Sequence, residues 1–342
     1  MPDDAAMPDA IPDGTAAGRE LLVVLCDEAR PPGMAEVEAT VEVRYTDGPG
    51  LAAALPGATA LFLWDFFSSA LRDAWPAADR LRWVHVASAG VDRLLFPELV
   101  TSPVVVTNSR GVFDRPIAEY VLGLVLAAAK DLPTTLTLQR DRKWQHRETH
   151  RVDGTTALVV GTGSIGRATA GLLSAAGLRV VGMGSRARSD PELGRVHGAD
   201  ELLGLLPEAD YVVVAAPLTA ATRGLFDATA FAAMKPDAWL VNVGRGAIVV
   251  EADLLSALDR GQLAGAALDV FADEPLPVDH PFWDRADVIV SPHMSGDFVG
   301  WHDALVEVFL DNLSRWRSGR PLRNEVDKAA GYVPTATPKE TG

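Results

Sequence analysis

Three glycines in the middle of the chain have the spacing that lets a protein backbone hold a pyrophosphate. Gly161, Gly163 and Gly166 form G-x-G-x-x-G. They follow the apolar run 157–160, and the Ala- and Leu-rich stretch 165–176 predicts a helix behind them. In such a strand–turn–helix unit the glycines permit a tight turn, close approach of the anion and close packing of the helix. The motif therefore predicts a dinucleotide site. A plain tight turn is the weaker alternative, because a strand and a helix flank the glycines as a dinucleotide site requires.

Alternating apolar strands and helices precede and follow this motif. Before it, the predicted strands are 21–25, 41–45, 60–64, 83–86 and 104–106. After the helix, they are 178–183, 211–215, 239–243, 265–270 and 288–290. Such β/α alternation is typical of parallel sheets covered by helices. The predicted fold class is α/β, with two Rossmann-like, doubly wound domains and a cleft between them.

The order of these elements also predicts the domain boundaries. We expect a first α/β domain over 19–110 plus 296–327 and a dinucleotide-binding Rossmann domain over 111–295. Residues 1–18 and 331–342 are expected to be a disordered leader and tail. The remaining expectations are a buried apolar helix over 116–130, an irregular polar stretch over 131–152, and a helix over 301–318 that returns to the first domain.

The composition limits the classes of partner. The net charge of −15 argues against a general nucleic-acid or acidic-membrane surface. Cys26 is the only cysteine, so no intrachain disulfide or thiolate cluster can form, as expected in a reducing compartment. No apolar segment is long enough to span a membrane, and no secretory signal is seen. We expect a cytoplasmic protein with no metal, nucleic-acid or membrane partner.

Six stretches together resemble the D-isomer-specific 2-hydroxyacid dehydrogenase family. They are SAGVD (88–92), GTGSIG (161–166), APLTAATRGL (216–225), VNVGRGAIV (241–249), ALDVFADEP (267–275) and SPH (291–293). The resemblance covers most of residues 20–327, with the order of the motifs kept. It implies a two-domain fold whose first domain is a substrate-binding, flavodoxin-like domain. It also implies a nicotinamide cofactor on the second domain and a 2-oxo or 2-hydroxy acid in the cleft.

By this resemblance, three residues carry the chemistry. Arg245 is the substrate-binding arginine, and a guanidinium between two glycines suits a planar grip on a carboxylate. His293 is the acid–base catalyst, because an imidazole can exchange a proton with the substrate oxygen near neutral pH. Glu274, in a DEP context, is the carboxylate that orients His293 and favours its protonated form.

The resemblance implies further contacts. The turn after strand 83–86 offers backbone N–H groups of Ala89, Gly90 and Val91 to the substrate carboxylate, and Trp64 borders the substrate side chain. Asp269 is expected to contact the nicotinamide carboxamide. The residues expected to bind the cofactor in these motifs are Gly161, Gly163, Ser164, Ile165, Gly166, Pro217, Val243 and Asp269.

The residues after strand 178–183, the strand that follows the glycine motif, predict which nicotinamide cofactor binds. An NAD site usually has an acidic residue there to hold the ribose hydroxyls. Here the strand ends at Gly184 without one, the first acid being Asp190. Ser185, Arg186 and Arg188 follow instead and suit a 2′-phosphate. We therefore predict NADP as the cofactor with NAD as the alternative, unless both arginines are merely solvated surface charges.

These inferences predict an oxidoreductase that reduces a small 2-oxo acid to the D-2-hydroxy acid. Trp64 resembles the glyoxylate/hydroxypyruvate reductase-like branch, whereas Phe66 and Phe67 suit a larger apolar substrate. One alternative is a nucleotide-sensing, corepressor-like binding protein on the same scaffold. Another is a different Rossmann enzyme such as a methyltransferase, which leaves the three catalytic residues unexplained. The resemblance also implies a homodimer, with helix 116–130 and the stretch 131–152 as candidate contacts.

Overall fold

The computed structural model describes residues 20–27 and 29–334. The predicted leader, 1–18, and residues 335–342 of the predicted tail lie outside the described residues. The strands are β1 Leu21–Leu25, β2 Glu42–Thr46, β3 Ala60–Leu63, β4 Trp83–Val86, β5 Val105–Asn108, β6 Thr156–Val160, β7 Arg179–Met183, β8 Arg188–Asp190, β9 Gly194–His197, β10 Tyr211–Val214, β11 Trp239–Asn242, β12 Gly265–Leu268 and β13 Val288–Val290. The α-helices are α1 Ala35–Thr40, α2 Leu51–Ala54, α3 Ala70–Ala74, α4 Pro97–Thr101, α5 Asp114–Ala129, α6 Leu132–Arg140, α7 Ser164–Ala175, α8 Leu202–Leu205, α9 Ala228–Ala233, α10 Glu251–Asp259 and α11 Trp301–Arg317.

The first domain is built on a parallel sheet of five strands in the order β2-β1-β3-β4-β5. Every residue of β1, β3 and β4 is buried. Apart from His85 in β4, these strands therefore consist of apolar residues, as expected for a parallel sheet with both faces covered. Their carboxyl ends all lie at one edge of the sheet, where the loops at 64–67 and 88–93 begin.

The second domain is built on an eight-stranded sheet in the order β13-β12-β11-β10-β6-β7-β9-β8. All its pairings are parallel except β8 with β9, an antiparallel hairpin that the apolar pattern did not predict because its residues are mostly exposed. The strand order reverses beside β6, which pairs with both β7 and β10. A ligand crevice is expected outside the carboxyl ends of the strands at such a switch point.

Helix α11 joins the end of the chain to the first domain, as predicted. The ring of Phe309 stacks on Phe62 with centroids 4.0 Å apart and on Trp83 at 5.7 Å. All three rings are fully buried. Aromatic burial of this size is a major part of a core, so the helix is fixed to the first sheet. The α/β fold with two domains is confirmed, whereas the exact boundaries at 110/111 and 295/296 stay predictions.

Two predictions about irregular segments were wrong. The stretch 131–152 contains the helix α6, which has no buried residue and so lacks the apolar stripe that would have revealed it. Residues 331–334 were assigned to the disordered tail, but Tyr332 forms a β-bridge with Asp327 and Arg110 donates to the carbonyl of Val333 at 3.2 Å.

Helix length and hydropathy give no single membrane-spanning candidate among the described residues. Helices α5 and α6 together reach the length and apolar composition of a membrane span, but a bend of 66° separates them.

Candidate active site

His293 and Glu274 form a hydrogen-bonded pair at the carboxyl ends of adjacent strands. Glu274 follows β12 and His293 follows β13, and His293 Nδ1 lies 2.9 Å from Glu274 Oε2. Glu274 Oε1 accepts the Phe271 N–H at 3.0 Å. Burial raises the pKa of the Glu274 carboxyl, but the hydrogen bonds from His293 and Phe271 outweigh it and the net pKa is lowered. The carboxylate is therefore charged and orients the imidazole. Glu274 contacts Nδ1 only, and Nε2 is the other ring nitrogen.

Arg245 reaches from the second domain to the substrate loop of the first. Its Nε donates to Asp92 Oδ1 at 3.0 Å and its Nη1 to the Gly244 carbonyl at 2.8 Å. A Cβ at Gly90 would lie 1.7 Å from Arg245 Nη2, so a side chain there would displace the guanidinium. Nη2 thus faces the loop that was predicted to hold the substrate carboxylate.

The same loop offers backbone donors beside that guanidinium. Within the described part of the chain, no protein acceptor is paired with the backbone N–H of Ala89, Gly90 or Val91. The loop is nevertheless fixed, because Asn108 donates to the Ala89 carbonyl at 2.6 Å and Ser88 Oγ to the Gly90 carbonyl at 2.6 Å. Free amides on a fixed loop, next to a guanidinium, are suited to binding a carboxylate.

Asp269 anchors the loop that carries His293, a role the sequence did not reveal. It is fully buried and its Oδ1 accepts the Ser291 hydroxyl at 2.7 Å and the Met294 N–H at 3.0 Å. Its Oδ2 accepts the Ser295 N–H at 2.9 Å. The carboxylate therefore fixes the chain on both sides of His293. One lone pair of Asp269 remains unused by these bonds, and its contact with the nicotinamide stays a prediction.

The glycine motif has the shape that a dinucleotide needs. Gly161 has φ 103°, and a Cβ there would lie 2.6 Å from the Ala216 nitrogen. A Cβ on Gly166 would lie 1.8 Å from the Gly161 carbonyl oxygen. By contrast, no described atom lies within 4 Å of a Cβ built on Gly163, at the start of α7. The residues present therefore fit a pyrophosphate approaching Gly163 at the helix N-terminus.

The other predicted cofactor residues lie at the same edge of the sheet. Ser164 Oγ donates to Asp114 Oδ1 at 2.9 Å, which ties the start of α7 to the start of α5. Ile165 is partly buried against the core. Pro217 follows β10 and Val243 follows β11. The N–H of Val243 donates to the Val214 carbonyl. These residues follow three neighbouring strands of the sheet, β6, β10 and β11, and their contacts with a cofactor stay predictions.

The end of β7 presents cations rather than an acid. Ser185 and Arg186 are exposed, and Arg188 Nη2 donates to Thr162 Oγ1, inside the glycine motif, at 2.7 Å. Asp190 is buried and paired with the guanidinium of Arg167, whose hydrogen bond lowers the pKa of that carboxyl. Asp190 is thus engaged by α7 and does not occupy the position of a ribose-binding acid.

A pocket of about 350 Å³ lies at the loop 64–67, and one of its lining residues, Phe67, contacts His293. The Phe67 ring meets the His293 imidazole edge to face with centroids 5.8 Å apart, and Trp64 lies against His302 at 5.3 Å. Trp64 lines this pocket, and its contact with the substrate side chain stays a prediction. The pocket is lined by Asp27, Ala29, Trp64, Asp65, Phe66, Phe67, Trp301 and His302.

Two charged residues in this site were missed by the sequence analysis. Asp92 contacts Arg245, and Arg93 Nη2 lies 3.6 Å from Glu274 Oε2. These neighbouring residues of the first domain contact Arg245 and the His293–Glu274 pair of the second. The motif SAGVD already included Asp92, whose acidic side chain beside the substrate turn was the available signal.

His85, the histidine nearest to this loop in the sequence, has a structural role. It is fully buried, its Nδ1 lies 2.8 Å from Thr107 Oγ1 and its Nε2 lies 3.3 Å from Ser109 Oγ. Burial lowers its pKa to about 3. A neutral, enclosed imidazole is unavailable as a proton donor at neutral pH, so His85 is not an acid–base candidate.

Comparison with known proteins defines the class of this one. The family model described as "D-isomer specific 2-hydroxyacid dehydrogenase, NAD binding domain" matches residues 122–295, about half of the chain. The chain belongs to the D-isomer specific 2-hydroxyacid dehydrogenase family. It is an NAD(P)-dependent oxidoreductase, and the family resemblance of its sequence is confirmed.

Particular relatives include reductases and dehydrogenases. Glyoxylate/hydroxypyruvate reductase A of Serratia proteamaculans is 31% identical over 260 residues, 74% of this chain and 82% of that protein. D-3-phosphoglycerate dehydrogenase of Mycobacterium tuberculosis is 34% identical over 323 residues, 91% of this chain but 60% of the length of that protein. An NADPH-dependent glyoxylate/hydroxypyruvate reductase from Sinorhizobium meliloti, solved with NADP and sulfate, has a TM-score of 0.78 at 28% identity and covers 92% of this chain and 100% of its own.

Proposed function

We propose that this enzyme reduces a small 2-oxo acid to the D-2-hydroxy acid and prefers NADPH. The observation that carries the proposal is the arrangement across the cleft. Arg245 faces the free amides of the loop at Gly90, and the same loop reaches the His293–Glu274 pair through Arg93. When bound, the reduced nicotinamide supplies hydride to the substrate carbonyl carbon.

In this proposal the first task of the residues is to hold the carboxylate. Asp92 and the Gly244 carbonyl fix Nε and Nη1 of Arg245, which leaves Nη2 for the substrate. The N–H groups of the loop around Gly90 add further donors. Charge-assisted hydrogen bonds of this kind are about twice as strong as neutral ones and fix the orientation of the 2-oxo group.

The second task is proton transfer. His293 gives a proton to the carbonyl oxygen during reduction and takes it back in the reverse reaction. Glu274 fixes the ring through Nδ1, so Nε2 is the nitrogen that meets the substrate. The charged carboxylate also stabilises the imidazolium before the proton is donated.

The overall activity is tested with purified protein, a panel of 2-oxo acids and both cofactors. Glyoxylate, hydroxypyruvate, 2-oxoisocaproate and phenylpyruvate span the range of side-chain size. We expect oxidation of NADPH with at least one of them at a kcat/KM above that with NADH. The absence of turnover with any 2-oxo acid, despite measurable NADPH binding, contradicts the proposal.

The cofactor preference depends most on Arg188. Loss of one charge-assisted hydrogen bond to a phosphate costs about 1.5–3 kcal/mol, or roughly 10- to 100-fold. Arg188→Gln should therefore lower kcat/KM for NADPH by that factor and change the value for NADH less than about twofold. Arg260→Gln is the matched control, because that exposed arginine follows α10 at the opposite edge of the sheet. Equal or NADH-favouring values in the unchanged enzyme would refute the preference.

A larger apolar 2-oxo acid is a second candidate substrate, favoured by the pocket. Its walls include Trp64, Phe66 and Phe67, and Met294 and Phe298 lie exposed just after the catalytic histidine. Apolar walls stabilise a hydrocarbon side chain by about 25 cal/mol for each Å² buried. The panel above distinguishes the candidates, because phenylpyruvate benefits from these walls and glyoxylate does not.

The corepressor-like alternative gains no support from the named relatives, which are reductases and dehydrogenases. A sensor binds NAD(P)H without consuming it. The panel therefore separates the two functions as well, since binding without oxidation is the result expected of a sensor.

We also propose that the protein is a homodimer that associates through α6 and the segment after it. Leu132 and Leu136 on α6 are 45% and 53% exposed, and Trp144 is fully exposed. Exposed apolar groups of this size commonly mark protein contacts. Sedimentation velocity should give about twice the 36.3 kDa chain mass, and Leu136→Glu should shift it towards the monomer. A monomer at micromolar concentration contradicts this proposal.

A further inference from the structure

Arg93 lies where the two domains meet, and the proposed reaction does not use it. Its Nη2 is 3.6 Å from Glu274 Oε2, the oxygen that also receives His293 Nδ1 at 2.9 Å. Its guanidinium carbon lies 5.2 Å from the centre of the Phe67 ring, which in turn meets the His293 ring. A positive charge is thus held beside the catalytic pair by an ion pair and a cation–π contact.

We propose that Arg93 is a positioning residue that sets the pH range of the reduction by sharing the Glu274 carboxylate with His293. The inference rests on the proposed function in one respect, because it takes His293 as the proton donor. Arg93 belongs to the first domain and Glu274 to the second, so the contact joins the two sides of the site.

The sign of the effect follows from the charges that surround the imidazole. Glu274 contacts the ring, the buried Asp269 holds the loop on both sides, and Asp297 lies near enough for its charge to interact with His293. All three are acids, and each favours a positively charged imidazole. The guanidinium of Arg93 opposes them, since it repels the imidazolium and draws on the same carboxylate oxygen. Loss of the Arg93 charge is therefore expected to favour the protonated imidazole.

The expected size of the effect is moderate. The side chain of Arg93 is 49% exposed, so solvent screens its charge. Full removal of a nearby charge shifts a titration by one to three pH units, and screening reduces this to about half a unit to one unit.

The test compares Arg93→Gln, Arg93→Met and Arg93→Lys with the unchanged enzyme. Reduction needs the protonated imidazole, so kcat/KM falls as the pH rises through the basic limb of its profile. We expect the Gln and Met variants to move that limb upwards by about half a unit to one unit, and the Lys variant to stay near the original profile. Arg72→Gln is the matched control, because Arg72 also stacks on a phenylalanine, Phe96, in the first domain, away from the catalytic pair.

A second measurement separates this inference from the proposed function. The titration of the His293 ring protons, followed by nuclear magnetic resonance and assigned with His293→Asn, needs no substrate. Its midpoint should move upwards in the Gln and Met variants even if no 2-oxo acid is turned over. Folded Gln and Met variants with an unchanged midpoint and basic limb overturn the proposal. Failure of both variants to fold also overturns it, because it would show that Arg93 serves the fold rather than the proton.

Discussion

Replacement of His293 by alanine should lower kcat about 10²- to 10⁴-fold, the usual contribution of a positioned general acid. The loss is expected in kcat rather than in cofactor affinity, because the ring contacts Glu274 and Phe67 and the glycine motif is built separately around β6 and α7. Steady-state kinetics with a 2-oxo acid and NADPH measure the first quantity, and fluorescence titration of bound NADPH measures the second.

A second histidine provides the matched control. His197 Nδ1 lies 2.8 Å from Glu201 Oε2, nearly the same contact as in the catalytic pair, but on β9. His197→Ala should leave kcat within about twofold. Glu274→Gln keeps an acceptor for the imidazole while removing the charge, so its loss of kcat should be smaller than that of His293→Ala. Activity that survives in His293→Ala contradicts the assignment.

Replacement of Arg245 by glutamine should lower kcat/KM about 10²- to 10⁴-fold. Nη2, the nitrogen left for the substrate, carries two N–H groups. Two charge-assisted hydrogen bonds from them are each worth about 1.5–3 kcal/mol, and every 1.4 kcal/mol is a factor of ten. Arg245→Lys keeps the charge but lacks the planar fork that contacts Asp92 and the Gly244 carbonyl, so an intermediate loss is expected. The measurement is kcat/KM for the 2-oxo acid at saturating NADPH.

Gly90→Ala tests the same contact from the other domain. Its Cβ would lie 1.7 Å from Arg245 Nη2, so the guanidinium must move away from the substrate loop. We expect a loss of kcat/KM for the 2-oxo acid, smaller than in Arg245→Gln, with NADPH affinity unchanged. If both variants keep full kcat/KM, the carboxylate is held elsewhere.

Much of the fold was predictable because it rests on local patterns. Buried parallel strands such as β1 and β10 consist wholly of apolar residues, and the glycines of the motif mark the turn before α7. Helix α6 and the β8–β9 hairpin escaped prediction for the opposite reason. Their residues are mostly exposed, so no apolar period marks them.

The candidate site was predictable one residue at a time but not as a set of contacts. Arg245, Glu274 and His293 stand in recognisable motifs, whereas the hydrogen bond between Asp92 and Arg245 joins residues 153 positions apart. The contacts of Asp269 could not be predicted from the sequence either. Its motif suggests a cofactor ligand, but only the packing of β12 against β13 reveals that its carboxylate anchors the His293 loop.

The most direct test of the central claim is a single balance of reactants and products. Purified protein is incubated with NADPH and each 2-oxo acid of the panel, and the NADPH oxidised is compared with the hydroxy acid formed, resolved by chiral chromatography. The site described here predicts equal amounts of oxidised cofactor and D-2-hydroxy acid for at least one substrate, and none of either in His293→Ala beyond about 1% of that rate. Bound NADPH that no 2-oxo acid oxidises, or a product of the L configuration, would contradict it.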